Sequence, residues 1–187
     1  MEEIEVKFLD IKPAEIETKL VSVGAAKAFD RVFRRRVFDY PDLRLNSKGA
    51  YVRVRDEGDK ITFAYKERQG IGQSNGNDLG MKEIEVSVSD FEQTCELLRN
   101  VGLVEKFYEE NRRVRYLYKG IEFDIDYWPL LSPFLEIEAE NMGKIEEGIS
   151  LLGLKSKEKK VFTVFQIYKL KGINELDYKV LTFEKQV

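Results

Sequence analysis

Charged and apolar side chains alternate strictly along Glu3-Ile4-Glu5-Val6-Lys7-Phe8 near the start of the chain. Successive side chains of a β-strand point to opposite faces, so this alternation predicts a strand with one apolar and one charged face. The charged face carries two acids and then a base, at every second position. Such strands are typical of an antiparallel sheet with one buried and one hydrated face.

Seven further segments are predicted to be strands of the same sheet, six of them by the same alternation. They are residues 32–40, 51–55, 62–66, 83–86, 113–115, 122–126 and 135–138. In the first of them, the run Arg34-Arg35-Arg36 leaves open which side chains lie on the charged face. The segment 69–80, rich in Gly and Asn, predicts a loop between two strands.

Three stretches with apolar residues at helical spacing predict amphipathic helices. Their apolar stripes are Ile16, Leu20 and Val23; Phe91, Cys95 and Leu98; and Ile145, Ile149 and Leu152. Pro13 suits the first turn of the first helix, and Ser89 is the expected N-cap of the second. The predicted fold class is therefore α+β, with Cys95 as a small core residue.

The composition indicates a folded chain and excludes several classes of site. The 187 residues suit a single domain with a helical tail over 161–187. Because the chain has no His and a single Cys, histidine catalysis, internal disulfides and thiolate zinc clusters are excluded. A metal would be held by carboxylates, which favours Mg²⁺, Mn²⁺ or Ca²⁺.

The charge and hydropathy patterns also limit the partners and the location that we expect. The net charge of −3 argues against a nucleic acid or an anionic membrane as partner. The chain has no apolar run of about 18 residues and begins with an acidic segment, which predicts a cytoplasmic protein without a membrane span or signal peptide. Flat strands and an acidic surface are compatible with a homodimer but do not argue for one.

The charges on the predicted strand faces are segregated by sign. Acid pairs stand two residues apart on some strands, and arginine pairs stand two residues apart on others. Residues at i and i+2 project from the same face about 7 Å apart. Two such carboxylates can share a divalent ion, and two guanidinium groups can bind adjacent phosphates. An ordinary hydrated face explains any single strand, but the whole set predicts a site for a metal and a phosphate chain.

Taken in order, these motifs resemble the CYTH superfamily, the triphosphate tunnel metalloenzymes, which includes class IV adenylyl cyclases, thiamine triphosphatases and inorganic triphosphatases. The motifs are Glu3-x-Glu5-x-Lys7, Phe38-Asp39-Tyr40-Pro41, Arg53-x-Arg55, Lys66, Glu83-x-Glu85, Arg113 three residues before Tyr116, Asp124-x-Asp126, and Phe134-Leu135-Glu136-Ile137-Glu138. The resemblance covers residues 1–154. It implies an eight-stranded antiparallel β-barrel, the triphosphate tunnel, with amphipathic helices packed outside.

The resemblance also implies a role for each motif residue. The implied metal ligands are Glu3, Glu5, Asp124, Glu136 and Glu138. The implied phosphate-binding residues are Lys7, Arg53, Arg55, Lys66 and Arg113, and Arg115 is a further candidate. Glu85, Lys66 and Arg113 are the candidate catalytic groups, and Glu83 shares the tunnel with Glu85.

Two positions and one segment distinguish this chain within the resemblance. Met81 and Asn111 stand where the family commonly has an Arg and a Lys, which lowers the expected hold on a third phosphate or changes the substrate. Arg115 is a candidate to compensate for the missing charge. The segment Tyr127-Trp128-Pro129 resembles the class IV cyclase branch more than the thiamine triphosphatases.

Three functions stay open on this basis. The first is metal-dependent hydrolysis of ATP or another nucleoside triphosphate, of thiamine triphosphate or of inorganic triphosphate. The second is cyclisation of ATP to cyclic AMP in the same tunnel. The third is a non-catalytic module that binds polyphosphate or a nucleotide. The complete set of acids favours catalysis over binding alone.

Overall fold

The structure is a computed structural model that describes residues 4–68 and 81–187. Its strands are β1 (Ile4–Phe8), β2 (Ala26–Asp39), β3 (Ala50–Asp56), β4 (Ile61–Arg68), β5 (Met81–Val88), β6 (Val104–Tyr118), β7 (Ile121–Tyr127), β8 (Phe134–Ala139) and β9 (Val180–Leu181). Its α-helices are α1 (Pro13–Ser22), α2 (Phe91–Asn100), α3 (Met142–Leu151) and α4 (Val164–Leu170). The eight predicted strands and three predicted helices are confirmed, whereas Glu3 and the loop predicted over 69–80 lie outside the described residues.

Hydrogen bonding joins the strands in the order β1-β8-β7-β6-β2-β3-β4-β5, and β9 pairs with β6. The pairings of β1 with β8, β8 with β7, β7 with β6, and β2 through β5 in sequence are all antiparallel. The α+β class and the antiparallel sheet are therefore confirmed. The parallel strand β9 was not predicted, because a strand of two residues is too short to show alternation.

The chain divides into two compact units. The first unit comprises Met1–Val32 and Asn111–Asp177, and the second comprises Phe33–Glu110 and Tyr178–Val187. The long strands β2 and β6 are each divided between the two. Each unit has a hydrophobic cluster of its own.

The core of the first unit lies between two helices and the apolar face of the sheet. Helix α1 contributes Ile16 and Leu20, and helix α3 contributes Ile145 and Ile149, as their spacing predicts. They belong to one cluster with the apolar residues of β1, β7 and β8, among them Val6, Phe8, Phe123, Ile125, Leu135 and Ile137. Because these residues occupy one face of each strand, the alternating charged residues project from the other face.

Helix α2 closes the core of the second unit. Phe91, Cys95 and Leu98 from α2 cluster with Phe38 and Val54 of the sheet, and Cys95 is fully buried as predicted. The N-cap is Asp90 and not the expected Ser89, since the Asp90 carboxylate accepts a hydrogen bond from the backbone N–H of Gln93 at 2.8 Å.

The segment after α3 is anchored to the first unit. Helix α4 begins with a capping box at Thr163 and Gln166. Its Tyr168 is fully buried and donates a hydrogen bond to the backbone oxygen of Pro129 at 2.8 Å. Across the part of the chain that the structure describes, none of the helices has the length and apolar character needed to cross a membrane.

Candidate functional site

The charged face of the first unit is organised by the strand register. Lys7 of β1 lies opposite Glu136 of β8, Glu136 lies opposite Asp124 of β7, and Asp124 lies opposite Arg115 of β6. Side chains at paired positions of neighbouring strands share a face and lie within contact distance. One row of alternating charge therefore crosses four strands.

The next row of this face contains only acids on three strands. Glu138 of β8 lies opposite both Glu5 of β1 and Glu122 of β7. Like charges at directly opposed positions destabilise a sheet unless a cation lies close to them. This row therefore indicates a place where positive charge is required.

Lys7 and Glu136 form the buried centre of the mixed row. The side chain of Lys7 is 4% exposed, and its Nζ contacts Glu136 Oε2 and Glu5 Oε1, each at 2.7 Å. Burial alone would lower the pKa of Lys7, but the charges of Glu136 and Glu5 outweigh it and raise the pKa, so Lys7 is a cation. Burial would raise the pKa of Glu136, but the charges of Lys7 and Arg113 lower it to about 2.

Arg113 ties three carboxylates together. Its Nε and Nη2 donate to both oxygens of Asp126 at 2.8 and 2.6 Å, its Nη1 contacts Asp124 at 2.6 Å, and its Nη2 contacts Glu136 at 3.2 Å. These carboxylates hold the pKa of Arg113 well above its usual value, against the effect of burial. Burial raises the pKa of Asp126 to about 6, although Arg113 opposes this rise. Asp126 was not among the predicted site residues, although it has the same strand parity as Asp124.

Arg115 lies on the mixed row, and its side chain also reaches Glu122 of the acid row. Its Nε and Nη2 donate to the two oxygens of Asp124 at 2.7 and 2.6 Å, and its Nη1 forms an ion pair with Glu122. Burial would lower the pKa of Arg115, but its hydrogen bonds to Asp124 raise it. The structure thus places Arg115 beside the predicted phosphate-binding residues of this unit, where it contacts carboxylates.

Three carboxylates of this face lie close enough together to hold one cation. Glu122, Asp124 and Glu138 each offer an oxygen, and these oxygens all lie within 4.8 Å of one another. We call these three residues the acid group. Glu5 lies opposite Glu138 in register, whereas Glu136 is engaged by Lys7 and Arg113.

The acid group fits a hard divalent cation. Its ligand atoms are carboxylate oxygens, which Mg²⁺ and Mn²⁺ prefer. Asp124 is buried, but Glu122 and Glu138 are only partly buried, which leaves room for water or a phosphate oxygen. Glu122 was missed as a ligand, although its position opposite Glu138 follows once β7 and β8 are paired.

The second unit carries a second charged face on β3, β4 and β5. Arg53 Nη2 contacts Glu85 Oε2 at 3.2 Å and Glu83 Oε1 at 3.5 Å, and Lys66 Nζ contacts Glu83 Oε2 at 2.9 Å. Ala64 stands between Arg53 and Glu85 in the register, so no bulky side chain separates them. The Nε of Arg53 is buried and has no hydrogen-bond partner among the described residues.

The two predicted catalytic groups of this unit, Lys66 and Glu85, both have lowered pKa values, with different chemical consequences. Burial and the charge of Arg53 lower the pKa of Lys66, which makes its ammonium a better proton donor. Burial would raise the pKa of Glu85, but the charges of Arg55 and Arg53 outweigh it and lower the pKa. Glu85 is therefore an ionised and weak base at neutral pH.

The register also settles the facing of the arginine run on β2. Arg35 lies opposite Arg55 of β3, so it shares the face of Arg53 and Arg55. Its Nε donates to Glu109, a buried residue of β6, at 2.7 Å, and Arg55 forms an ion pair with Glu57. Arg34 points to the other face and contacts Asp56 at 3.0 Å. Sequence reasoning could not choose among the three, because the run has no apolar residue to set the parity.

The predicted site residues thus fall into two sets. Lys7, Arg113, Arg115, Asp124, Glu136, Glu138 and Glu5 share the face in the first unit, and Arg53, Arg55, Lys66, Glu83 and Glu85 share the face in the second. A family model for the CYTH domain matches residues 1–160. The chain belongs to the CYTH domain family. The predicted membership over residues 1–154 is confirmed.

Solved structures support the CYTH fold. The PH1012 protein of Pyrococcus horikoshii is 23% identical, with a TM-score of 0.69 over 88% of this chain and 98% of its own. A candidate adenylate cyclase of Vibrio parahaemolyticus is 11% identical, with a TM-score of 0.70 over 89% of this chain and 97% of its own. A candidate adenylyl cyclase of Hippeastrum, with a dominant triphosphatase activity, is 16% identical, with a TM-score of 0.64 over 94% of this chain and 98% of its own. A search of the curated proteins finds no match.

Proposed function

We propose that this CYTH chain is a divalent-metal-dependent enzyme that hydrolyses a triphosphate. The observation that carries the proposal is the acid group of Glu122, Asp124 and Glu138 on the same sheet face as Lys7, Arg113 and Arg115. Carboxylates that hold a hard cation, beside guanidinium and ammonium groups that bind phosphate oxygens, are what phosphoryl transfer requires.

The acid group would hold Mg²⁺ or Mn²⁺, with Glu5 next to it in the register. When bound, such an ion neutralises charge on phosphate oxygens and lowers the pKa of a coordinated water. The partial exposure of Glu122 and Glu138 supports this assignment, because a catalytic metal needs open coordination positions.

Each unit carries cations that would bind and orient phosphate oxygens. In the first unit, Arg113 has an orientation that Asp126 fixes through two hydrogen bonds, so little reorganisation is needed when an oxygen develops charge. In the second unit, the buried Nε of Arg53 has no acceptor among the described residues, which supports a ligand oxygen there. Lys66, with its lowered pKa, would stabilise or protonate a leaving oxygen, and the ionised Glu85 would orient Arg53.

The environment of Trp128 favours hydrolysis over cyclisation. A cyclase needs a surface that holds the adenine base, and an exposed indole beside the site would offer one. Trp128 is instead 5% exposed, and the adjacent Pro129 oxygen accepts the hydrogen bond from Tyr168. The segment that resembles the cyclase branch is therefore packed into the first unit and offers no indole face to a base.

Product analysis tests the proposal. Purified protein is incubated with inorganic triphosphate and, separately, with ATP, in Mg²⁺ and then in Mn²⁺. Orthophosphate release is the expected result. Cyclic AMP with pyrophosphate would replace the proposal with the cyclase function, and tight binding without any product would replace it with a binding module.

A matched pair of variants connects the activity to the acid group. Glu138→Gln should reduce turnover by more than about 100-fold, the upper range for residues that merely support a metal ligand. Glu140→Gln makes the same charge change at an exposed position just beyond β8 and should leave turnover unchanged. Equal activity of the two variants would remove Glu138 from the site.

A further inference from the structure

Arg115 already holds two members of the acid group. Its Nε and Nη2 donate to Asp124 Oδ1 and Oδ2, and its Nη1 pairs with Glu122. A guanidinium fork that bridges two carboxylates satisfies their charge and their hydrogen-bonding capacity together. The acid group is therefore compensated by a side chain of the protein itself.

Carboxylates outnumber cations on this face, so Arg115 is one of few side chains that can neutralise the acid group. On β1, β7, β8 and the part of β6 in the first unit, the described residues of the face include six carboxylates and three cations, so these strands contribute an excess of negative charge. The acids are Glu5, Glu122, Asp124, Asp126, Glu136 and Glu138, and the cations are Lys7, Arg113 and Arg115. Lys7 is paired with Glu5 and Glu136, which leaves the arginines to serve Asp124 and its neighbours.

The two arginines differ in what anchors them. Arg113 is bound through Nε and Nη2 to Asp126, which is not part of the acid group, so it keeps this anchor whatever happens to Asp124. The ion pairs of Arg115 within the described part of the chain go to Asp124 and Glu122 alone. Beyond them, its guanidinium lies 5.5 Å from the centre of the Phe29 ring. Arg115 is thus the cation whose partners a divalent ion would take.

We propose that Arg115 is an exchangeable counter-ion of the metal site. The inference rests on the proposed function, since it takes the acid group as the place where the ion binds. A guanidinium and a divalent ion cannot both lie against the oxygens of Asp124 and Glu122, because two cations about 4 Å apart repel strongly in a partly buried site. Binding of the ion therefore displaces Arg115.

The displaced guanidinium has a defined use. It remains on the charged face of β6, beside the ion, and can bind an oxygen of the phosphate chain bidentately. Exchange of Arg115 from carboxylate to phosphate would supply a cation on the strand where Asn111 has replaced one. Arg115 would therefore leave Asp124 and Glu122 before it binds the triphosphate.

Metal affinity in the absence of any phosphate tests the proposal directly. The binding of Mn²⁺ to the full chain is measured by calorimetry and by electron paramagnetic resonance for the wild type, Arg115→Gln, Arg115→Lys and Arg112→Gln. Arg112 is the matched control, since it lies on the same strand, has the opposite parity and pairs with Asp30 at 2.7 and 2.8 Å. Its substitution makes the same change in net charge without touching the acid group.

The expected result is a gain of affinity. Arg115→Gln should bind Mn²⁺ about tenfold more tightly than the wild type, which corresponds to about 1.4 kcal/mol. Arg115→Lys should lie between the two, because an ammonium lacks the planar fork that binds both oxygens of Asp124 together with Glu122. Arg112→Gln should match the wild type. Far-UV circular dichroism checks that each variant is folded, and Arg115→Lys carries the test if Arg115→Gln is not.

The possible failures are distinguishable. If the wild type binds Mn²⁺ and both Arg115 variants bind it equally or more weakly, the exchange is wrong and the proposed function survives. If Arg112→Gln shows the same gain as Arg115→Gln, the effect is general electrostatics and the exchange is again wrong. If neither the wild type nor any variant binds Mn²⁺, the metal dependence itself fails.

Discussion

Glu136→Gln is the substitution whose effect the structure defines most fully. The carboxylate is 5% exposed and contacts Lys7 Nζ at 2.7 Å and Arg113 Nη2 at 3.2 Å. Glutamine keeps the size of the side chain and removes its charge. Lys7 then retains Glu5, whose side chain is 48% exposed and whose charge is better screened by water.

The magnitude follows from the pKa of Glu136. In the folded protein the pKa of Glu136 is lowered from 4.5 to about 2. Each unit of difference between the folded and unfolded pKa values is worth about 1.36 kcal/mol. The ionised group therefore contributes about 3 kcal/mol to the free energy of unfolding at pH 7. Because the folded pKa is depressed, this contribution is complete above about pH 4.5 and is lost as the pH falls toward 2, so about half of it remains at pH 3.

Urea denaturation followed by circular dichroism at pH 7 and at pH 3 measures both values. Glu136→Gln should lower the free energy of unfolding by about 3 kcal/mol at pH 7 and by about half of that at pH 3. Glu140→Gln, at an exposed position, should change neither value by more than about 0.5 kcal/mol. A loss at pH 7 of less than about 1 kcal/mol, or a loss that does not depend on pH, would refute the reasoning.

Three further substitutions test other parts of the account. Arg53→Gln should raise KM and lower kcat for the triphosphate together, because a phosphate ligand acts in the ground state and in the transition state; unchanged steady-state kinetics would remove it from the site. Gly148→Ala should lower the free energy of unfolding by about 1 kcal/mol despite the better helix propensity of alanine, because its Cβ would lie 3.2 Å from Phe123 and Ile137; a more stable variant in urea would contradict this. Cys95→Ser should cost about 1–3 kcal/mol of stability by burying a hydroxyl and leave turnover per folded molecule unchanged, which a kinetic assay normalised to folded protein checks.

Much of the fold could be predicted because the strands alternate and the helices have regular stripes. Strict alternation assigns each residue of β1, β7 and β8 to one face, so the predicted charged face of the first unit needed only the correct pairing. The apolar stripe of α1, with Ile16 and Leu20, identified the buried side of the helix for the same reason. By contrast, β9 pairs over two residues and carries no periodic signal.

The site was harder to predict, because spacing along one strand does not identify the neighbours across strands. Glu136 is one of the acids that the family resemblance implies as a metal ligand, and that role stays a prediction. The register places it between Lys7 and Asp124, and its carboxylate contacts Lys7 and Arg113. Glu122 belongs to the acid group only because β7 and β8 align it with Glu138. The facing of Arg35 likewise depends on its pairing with Arg55. In each case the missing information was the register, which is a property of two strands together.

The central claim is that a divalent ion at the acid group is required for hydrolysis of a triphosphate. The most direct measurement is the rate of orthophosphate release from inorganic triphosphate by the wild type, with Mg²⁺ or Mn²⁺ titrated into protein from which metal has been removed by a chelator. The account predicts no release without the ion, and a rate that saturates as the ion is added and is lost in Glu138→Gln but not in Glu140→Gln. Release at an equal rate in the presence of excess chelator would contradict it.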